Sequence, residues 1–320
     1  RLLDTVQPFE HILIVAHDNP DPDAIASGWA IGWMIREQLG RATRLIAGGG
    51  IVRAENRQMV HLLEPPIELV DEFELKPSTA AVIVDCSPDA DNQLLFGTAL
   101  NPTGVIDHHQ DSKTGKRLPF RDVRPKVAAS ASIASSYLRD QQLIPHDRLA
   151  TALLYAIRTE TKGSETHYSR LDRRMVSWLS EWADPSKIAQ IENAPLTHEY
   201  YSDLVLALQS TFVYDTAALC FLPRAEGAEI IGEVADLIVR CDGIRQVLCA
   251  AVIHEDLLLS VRTDRGCGSA AELARGTLRG IGQGGGHQHR AGGKIRLSKL
   301  DGAVESVFDD LRNRWLTTCG

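Results

Sequence analysis

Three short apolar runs, each ending in acidic or imidazole residues, constrain this chain more than any other feature. His11-Ile12-Leu13-Ile14-Val15-Ala16 leads into His17-Asp18-Asn19-Pro20-Asp21-Pro22-Asp23-Ala24; Ala80-Ala81-Val82-Ile83-Val84 stops at Asp85; Gly104-Val105-Ile106 stops at Asp107-His108-His109. The runs have the length and aliphatic content of buried strands. Strands are expected near 11–16, 42–47, 80–84 and 103–106, alternating with helical periodicity at about 24–39, 53–63, 129–141, 147–158 and 170–183. That alternation predicts an α/β fold with a mainly parallel sheet flanked by helices. In such sheets ligands sit beyond the carboxyl ends of the strands, so polar groups at three strand ends converge on one edge.

Each residue also has a plainer account. Asp21 is a natural helix N-cap with Pro22 at the first helical position. A strand-end Asp is often a turn residue, and a lone His is more often a satisfied structural group than a ligand. These accounts leave His17 and Asp23 unused, and three coincident strand ends weaken them. Carboxylate oxygens with imidazole nitrogens suit Mn²⁺ first, with Mg²⁺, Fe²⁺, Co²⁺ or Zn²⁺ as other occupants, and thiolate ligation is absent.

At 320 residues the chain exceeds one typical core and predicts two domains that offer a cleft between them. A break at Ala183-Asp184-Pro185 and the stretch Asn193-Ala194-Pro195 place the junction there. The expected division is a metal-binding domain over 1–195, a connecting helix over 196–210 and a smaller α/β domain with a mixed sheet over 211–320. In the last part the pattern predicts a strand at 215–222, a helix at 229–240 and strands at 246–253 and 257–262. A helix at 269–279, a glycine loop, a strand at 293–297 and a helix at 300–316 follow. The apolar runs are far short of the roughly 20 residues that span a bilayer, so no membrane partner is expected. Six cysteines without a Cys-x-x-Cys pair are too sparse for a disulfide framework and fit a reducing cytoplasm. No signal-peptide pattern is visible, and the first residue, Arg1, is what a fragment of a longer chain would show. A net charge of −8 argues against a sequence-independent grip on duplex DNA and favours short anionic substrates. A homodimer is compatible with this reading.

In order and spacing, the segment His17 to Ala24, the strand ending Val82-Ile83-Val84-Asp85, and Gly104-Val105-Ile106-Asp107-His108-His109 resemble the DHH phosphoesterase superfamily. The resemblance implies that His17, Asp21 and Asp85 hold one divalent cation, while Asp23, Asp85 and His108 hold a second. It implies that His109 faces substrate and that Asp107 orients the histidines. A fourth motif normally has Asp between Thr or Ser residues; here Thr159-Glu160-Thr161 puts Glu160 in that place, as a further ligand of the second cation. In the second half, Leu259-Ser260-Val261-Arg262-Thr263 and Gly284-Gly285-Gly286-His287-Gln288-His289-Arg290-Ala291-Gly292-Gly293 resemble the DHH-associated domain of one branch. That branch implies a substrate site formed by Arg262, Gly284, Gly285, Gly286 and His287. Arg290 stands where the family more often has a small residue, adding a second positive group.

The resemblance implies hydrolysis, by a two-metal-activated water, of short single-stranded oligonucleotides, 3′-phosphoadenosine 5′-phosphate, or linear and cyclic dinucleotides. An exopolyphosphatase or inorganic pyrophosphatase is the alternative, and a nucleotide-binding regulatory module weakened at Glu160 is a third.

Overall fold

The computed structural model describes residues 1–109, 118–161, 168–225, 227–264, 266–286, 288–299 and 304–319. The chain divides into two compact units, Arg1–Ala194 and Pro195–Gly320. The first contains, in order, α1 (Leu2–Val6), β1 (His11–Val15), α2 (Pro22–Leu39), β2 (Thr43–Ala47), α3 (Ala54–Leu63), β3 (Ile67–Leu69), β4 (Thr79–Val84), β5 (Gly104–Asp107) and β6 (Phe120–Val123), followed by α4 (Ser130–Asp140), α5 (Asp147–Thr161), α6 (Arg170–Leu179) and α7 (Pro185–Glu192).

Its six strands form one sheet in the order β3-β2-β1-β4-β5-β6, with every pairing parallel. This is the parallel sheet with helices that the strand and helix patterns predict. The strand order reverses between β1 and β4, which opens a crevice at their carboxyl ends. Alternate residues of each strand face opposite sides. Ile12, Ile14, Ala80, Val82 and Ile106 face a core built with residues from α1 to α7. Leu13, Val15, Ala81, Ile83 and Val105 face a second core, closed by Val70, Phe73, Leu94, Leu95 and Leu100 from irregular segments. No helix joins this second core among the described residues.

The first helix after β1 shows how local signals and packing agree. The Asp21 side chain accepts from the amides of Asp23 and Ala24, Pro22 holds the first helical position, and Gly40 ends α2 at φ 62°. Gly28 lies against the sheet: a Cβ there would stand 2.5 Å from Leu45 Cδ1. The missing side chain is what lets α2 sit close on β2.

The second unit contains α8 (His198–Gln209), β7 (Thr211–Tyr214), β8 (Ala217–Leu222), α9 (Glu229–Ile238), β9 (Gln246–Ile253), β10 (Asp256–Thr263), α10 (Ala270–Thr277), β11 (Gln283–Gly286), β12 (Arg290–Arg296) and α11 (Val304–Cys319). Its six strands run β11-β12-β10-β9-β8-β7, with β8 and β9 parallel and the remaining pairs antiparallel, a mixed sheet as expected. One face carries α10 and α11 over Leu257, Leu259, Val261 and Ile295. The other carries α8 and α9 over Ala218, Cys220, Val247 and Cys249. Helix α8, expected as a connector, is thus part of the second unit's own core.

The glycine loop expected at 284–286 is a strand. Gly284 and Gly285 pair with Gly293 and Gly292 of β12, and Gly286 with Ala291. The ladder bonds come from the backbone and need no side chain, which is why composition alone suggested a turn. Strand β12 accordingly begins at Arg290 rather than at residue 293.

Candidate metal centre

The loop after β1 is held in place by hydrogen bonds and one left-handed residue. His17 Nδ1 contacts the Asp18 carbonyl at 2.9 Å, and the Asp18 amide donates to the Asn92 carbonyl at 2.7 Å. Asn19 adopts φ 52°, and its Oδ1 accepts from the Gly50 amide. With Nδ1 engaged, His17 offers Nε2, which stands 3.9 Å from Asp21 Oδ1 and 3.8 Å from Asp85 Oδ2.

Asp85 lies at the hub. Directly after β4, it turns its backbone to φ 57°, a left-handed conformation uncommon outside glycine and typical of residues aimed at a site. Its carboxylate is 3% exposed and takes a hydrogen bond from Ser130 Oγ at 2.9 Å. His108 Nε2 stands 3.4 Å from its Oδ1, and His109 Nδ1 stands 4.0 Å away.

At the end of β5, the wholly buried Asp107 accepts through Oδ1 from the His108 amide, the His109 amide and, at 2.7 Å, His109 Nδ1. This fixes the turn and the His109 ring together. Asp23, 1% exposed, is cradled at the start of α4: Oδ2 accepts from the Ser130 amide and Oδ1 from the Ala131 amide, each at 2.7 Å. His108 Nε2 is 3.7 Å from Asp23 Oδ2.

A cavity of about 360 Å³ opens over these groups, lined by His17, Asp21, Asp85, His108, His109 and Glu160 together with Cys86, Ser87, Ala90 and Asn92. The three strand ends therefore meet as expected, and Glu160 from the last turn of α5 joins them. Asp23 and Asp107 lie beneath and support the lining. Ser130, the α4 amides and Cys86 carry no motif that singles them out; a serine among alanines at a helix start is the only signal, and it is weak.

The electrostatics fit a cation. Burial favours the neutral form of Asp85, yet His108, His109 and His17 hold its carboxyl down at about 2. Burial likewise opposes charge on His108, but Asp85, Asp23 and Glu160 outweigh it and raise the imidazole to about 10. Asp23 moves the other way: burial and the charge of Asp85 push it well above the usual carboxylate range, against His108. The upward shift of Asp23 marks crowding of buried carboxylates, a condition a divalent cation relieves. Two donor groups share Asp85: His17 with Asp21, and His108 with His109, each set of atoms lying within 4.8 Å. Burial and the charges of Asp107, Asp85 and Asp18 push the Cys86 thiol up to about 12.

Ser130→Ala tests the support of the hub. Removing the hydroxyl frees one side of the Asp85 carboxylate, and manganese affinity is expected to fall about tenfold while the fold is kept. Equal affinity in a metal titration would show that Ser130 does not orient Asp85.

In the second unit, Arg262 is 8% exposed on β10, Arg290 stands on β12, and Gly284, Gly285 and Gly286 form β11. His287 lies outside the described residues. No helix among the described residues is long and apolar enough to cross a membrane.

Residues 11–157 match the DHH family, N-terminal domain. An uncharacterized protein of Methanocaldococcus jannaschii is 31% identical over 299 residues, covering 93% of this chain and 60% of that protein. Probable manganese-dependent inorganic pyrophosphatases of Streptococcus pyogenes are 26% identical over 183 residues, covering 54% of this chain and 56% of theirs. The chain thus spans less than two thirds of the length of these curated relatives. Among solved structures, an exopolyphosphatase-related protein from Bacteroides fragilis superposes with a TM-score of 0.80 at 16% identity, covering 99% of this chain and 94% of that one. Exonuclease RecJ bound to manganese superposes with a TM-score of 0.57 at 15% identity, covering 99% and 92%. At such identities these two likenesses speak to fold alone.

Proposed function

We infer that this chain, which belongs to the DHH family, is a metal-dependent phosphoesterase that hydrolyses short oligonucleotides or small nucleotides. The observation that carries the reading is the sharing of buried Asp85 between two donor groups at a sheet's switch point. His17, Asp21 and Asp85 would hold one divalent cation, and Asp23, Asp85, His108 and Glu160 the other. Manganese is the first choice, supported by the donor chemistry and by the manganese dependence named for the pyrophosphatase relatives. When bound, such cations lower the pKa of water and polarise a phosphoryl oxygen.

The chain's own residues do the rest. Asp107 holds His109 by Nδ1, so His109 can keep or release a proton at Nε2 toward a phosphoryl oxygen or leaving group. Burial opposes charge on His109, but Asp107 and Asp85 raise its pKa, which favours a donor. Ser130 and the α4 amides keep Asp85 and Asp23 from reorienting. Substrate contacts in the second unit would be made by Gly284, Gly285, Gly286, His287 and Arg290. Arg262, expected from the sequence as a contact, has its N–H groups taken by Asp236, Ser260 and nearby carbonyls and would only support them.

Inorganic pyrophosphate or polyphosphate is the second reading, favoured by the 26% identity to pyrophosphatases. What supports nucleotides instead is the second unit, whose glycine strand and exposed Arg290 offer a surface for a larger substrate. The test is parallel assay of pyrophosphate, polyphosphate and a 5′-labelled dinucleotide with Mn²⁺. Dinucleotide cleavage that disappears on chelation and returns with Mn²⁺ is the expected result. Phosphate release from pyrophosphate alone would overturn the nucleotide reading, and turnover that survives chelation would overturn the metal-dependent one.

A further inference from the structure

Four strands stand at the sheet edges, and three of them carry what keeps an exposed edge from pairing further. β3 has Glu68, bound by Arg44; β6 has Arg121 and Asp122; β11 is Gln283 and three glycines, with no apolar side chain. Charges on an edge, or the lack of apolar surface, hold other strands off. β7 has neither protection: it reads Thr211-Phe212-Val213-Tyr214, and its outer side has no partner strand among the described residues. No charged residue occurs from Leu204 to Tyr214, a run through α8 and β7 bounded by Asp203 and Asp215.

Both faces of this edge are apolar. Val213 is paired with Ala218, which enters the core under α8 and α9, whereas Phe212 is paired with Leu219, which enters the core under α10 and α11. Directly paired residues share a face, so Val213 lies on the first side and Phe212, with Tyr214, on the second. Helix α8 adds a third apolar strip. Its inner positions Tyr200, Leu204 and Ala207 pack into the core, and the Tyr200 hydroxyl donates to Glu233. One residue further on, Tyr201, Val205 and Leu208 repeat the same spacing on the adjoining flank and stay outside. These three and Phe212, Val213 and Tyr214 are between 38% and 57% exposed.

Packing within the chain thus accounts for the inner positions and leaves these six uncovered. Side chains of this size, each about half exposed, together present roughly 600 Å², the upper end of the largest apolar patch on a typical monomer. Two copies would bury about 1,200 Å² between them, the area at which standard specific interfaces begin.

We propose that α8 and β7 form a two-fold interface with a second copy of this chain, the two β7 strands pairing antiparallel so that the sheets of the two second units join. In that arrangement the amides and carbonyls of a strand edge are complementary to their own kind. Charge selects it too. At a net charge of −8 two copies repel, and an uncharged surface such as residues 204–214 is the one through which they can meet. A two-fold axis sets the two Asp215 residues at opposite ends of the strand pair, whereas a parallel pairing would set them side by side. The contact closes on itself and leaves β7 no free edge. It is independent of the nucleotide reading above.

The test is the mass of the full chain in solution. Analytical ultracentrifugation over a range of concentrations is expected to give twice the mass of one chain. Val213→Lys, which adds the kind of charge that other edges carry, should weaken the dimer by about a hundredfold or more and leave the circular-dichroism spectrum unchanged. Ile144→Lys, at an equally exposed apolar side chain of the first unit, should leave the dimer intact. In the unmodified chain, the β7 amides should exchange hydrogen more slowly as concentration rises. A chain that stays monomeric at every concentration, or a dimer that Val213→Lys leaves as tight as before, overturns the proposal. So do open-ended oligomers. A monomer with protected β7 amides would put another part of the chain over this edge and overturns it equally.

Discussion

Asp85→Asn is expected to lower turnover by about a thousandfold or more while leaving the protein folded. The carboxylate is the one group common to both donor sets, so its loss disables both together. Cations in such a site supply several kcal/mol of transition-state stabilisation, and about 4 kcal/mol corresponds to a thousandfold. Asparagine is the informative replacement because it tolerates the left-handed backbone that Asp85 adopts at φ 57°. Its amide oxygen can still accept from Ser130 Oγ, so the buried hydroxyl keeps a partner. The measurements are bound manganese per chain, turnover and melting temperature in parallel. A variant that binds manganese and turns over normally would remove Asp85 from the centre. A variant that simply unfolds would be separated from this outcome by the melting curve.

Asp172→Ala should produce the largest loss of stability, although it lies outside the cavity. Asp172 is wholly buried. Its carboxylate accepts from the Ser169 amide at 2.7 Å, closing a capping box at the start of α6, and from the Ala128 amide at 3.1 Å. Truncation leaves the buried Ala128 N–H and the half-buried Ser169 N–H without that partner, at about 1–3 kcal/mol for a buried donor and less for the other. A total near 3 kcal/mol corresponds to a fall of about 10 °C in the melting temperature of a unit this size. The effect should also reach the metal, because Ala128 lies two residues before Ser130, whose amide with that of Ala131 holds Asp23. Manganese affinity is expected to drop about tenfold, with Asp172→Asn recovering part of both losses. An unchanged melting temperature would show that neither amide depends on Asp172.

The strands that sequence patterning identified and those it missed differ by position in the sheet. β3, β6, β7 and β11 stand at the outer edges of the two sheets. Interior strands are buried on both faces and write continuous apolar runs, as Thr79–Val84 does. An edge strand makes one ladder and faces solvent, so it needs little apolar content. Ile67–Leu69 has no fully buried residue, Phe120–Val123 has only Phe120, and Gln283–Gly286 is mostly glycine. Helix α7 escapes sequence patterning for another reason: its Asp184 cap and Pro185 read as a break, although the Asp184 side chain accepts from the Ser186 and Lys187 amides and starts a helix there.

Within the candidate centre, the local sequence determined which residues stand at the strand ends, because a strand of known length delivers the next residue to its carboxyl edge. It also determined the Asp21 cap, which needs only neighbouring amides. Tertiary structure alone decided that β1 and β4 are neighbours at the switch point, since strand order depends on long crossovers that leave no mark on spacing. It decided that Asp23 rests on amides 107 and 108 residues away, and that Ser130 reaches Asp85. It decided, too, that every Arg262 donor is consumed by Asp236, Ser260 and nearby carbonyls. The physical reason is common to these cases: a side chain's charge and donors are properties of its residue type, whereas the partners that satisfy them are set only when distant segments pack together.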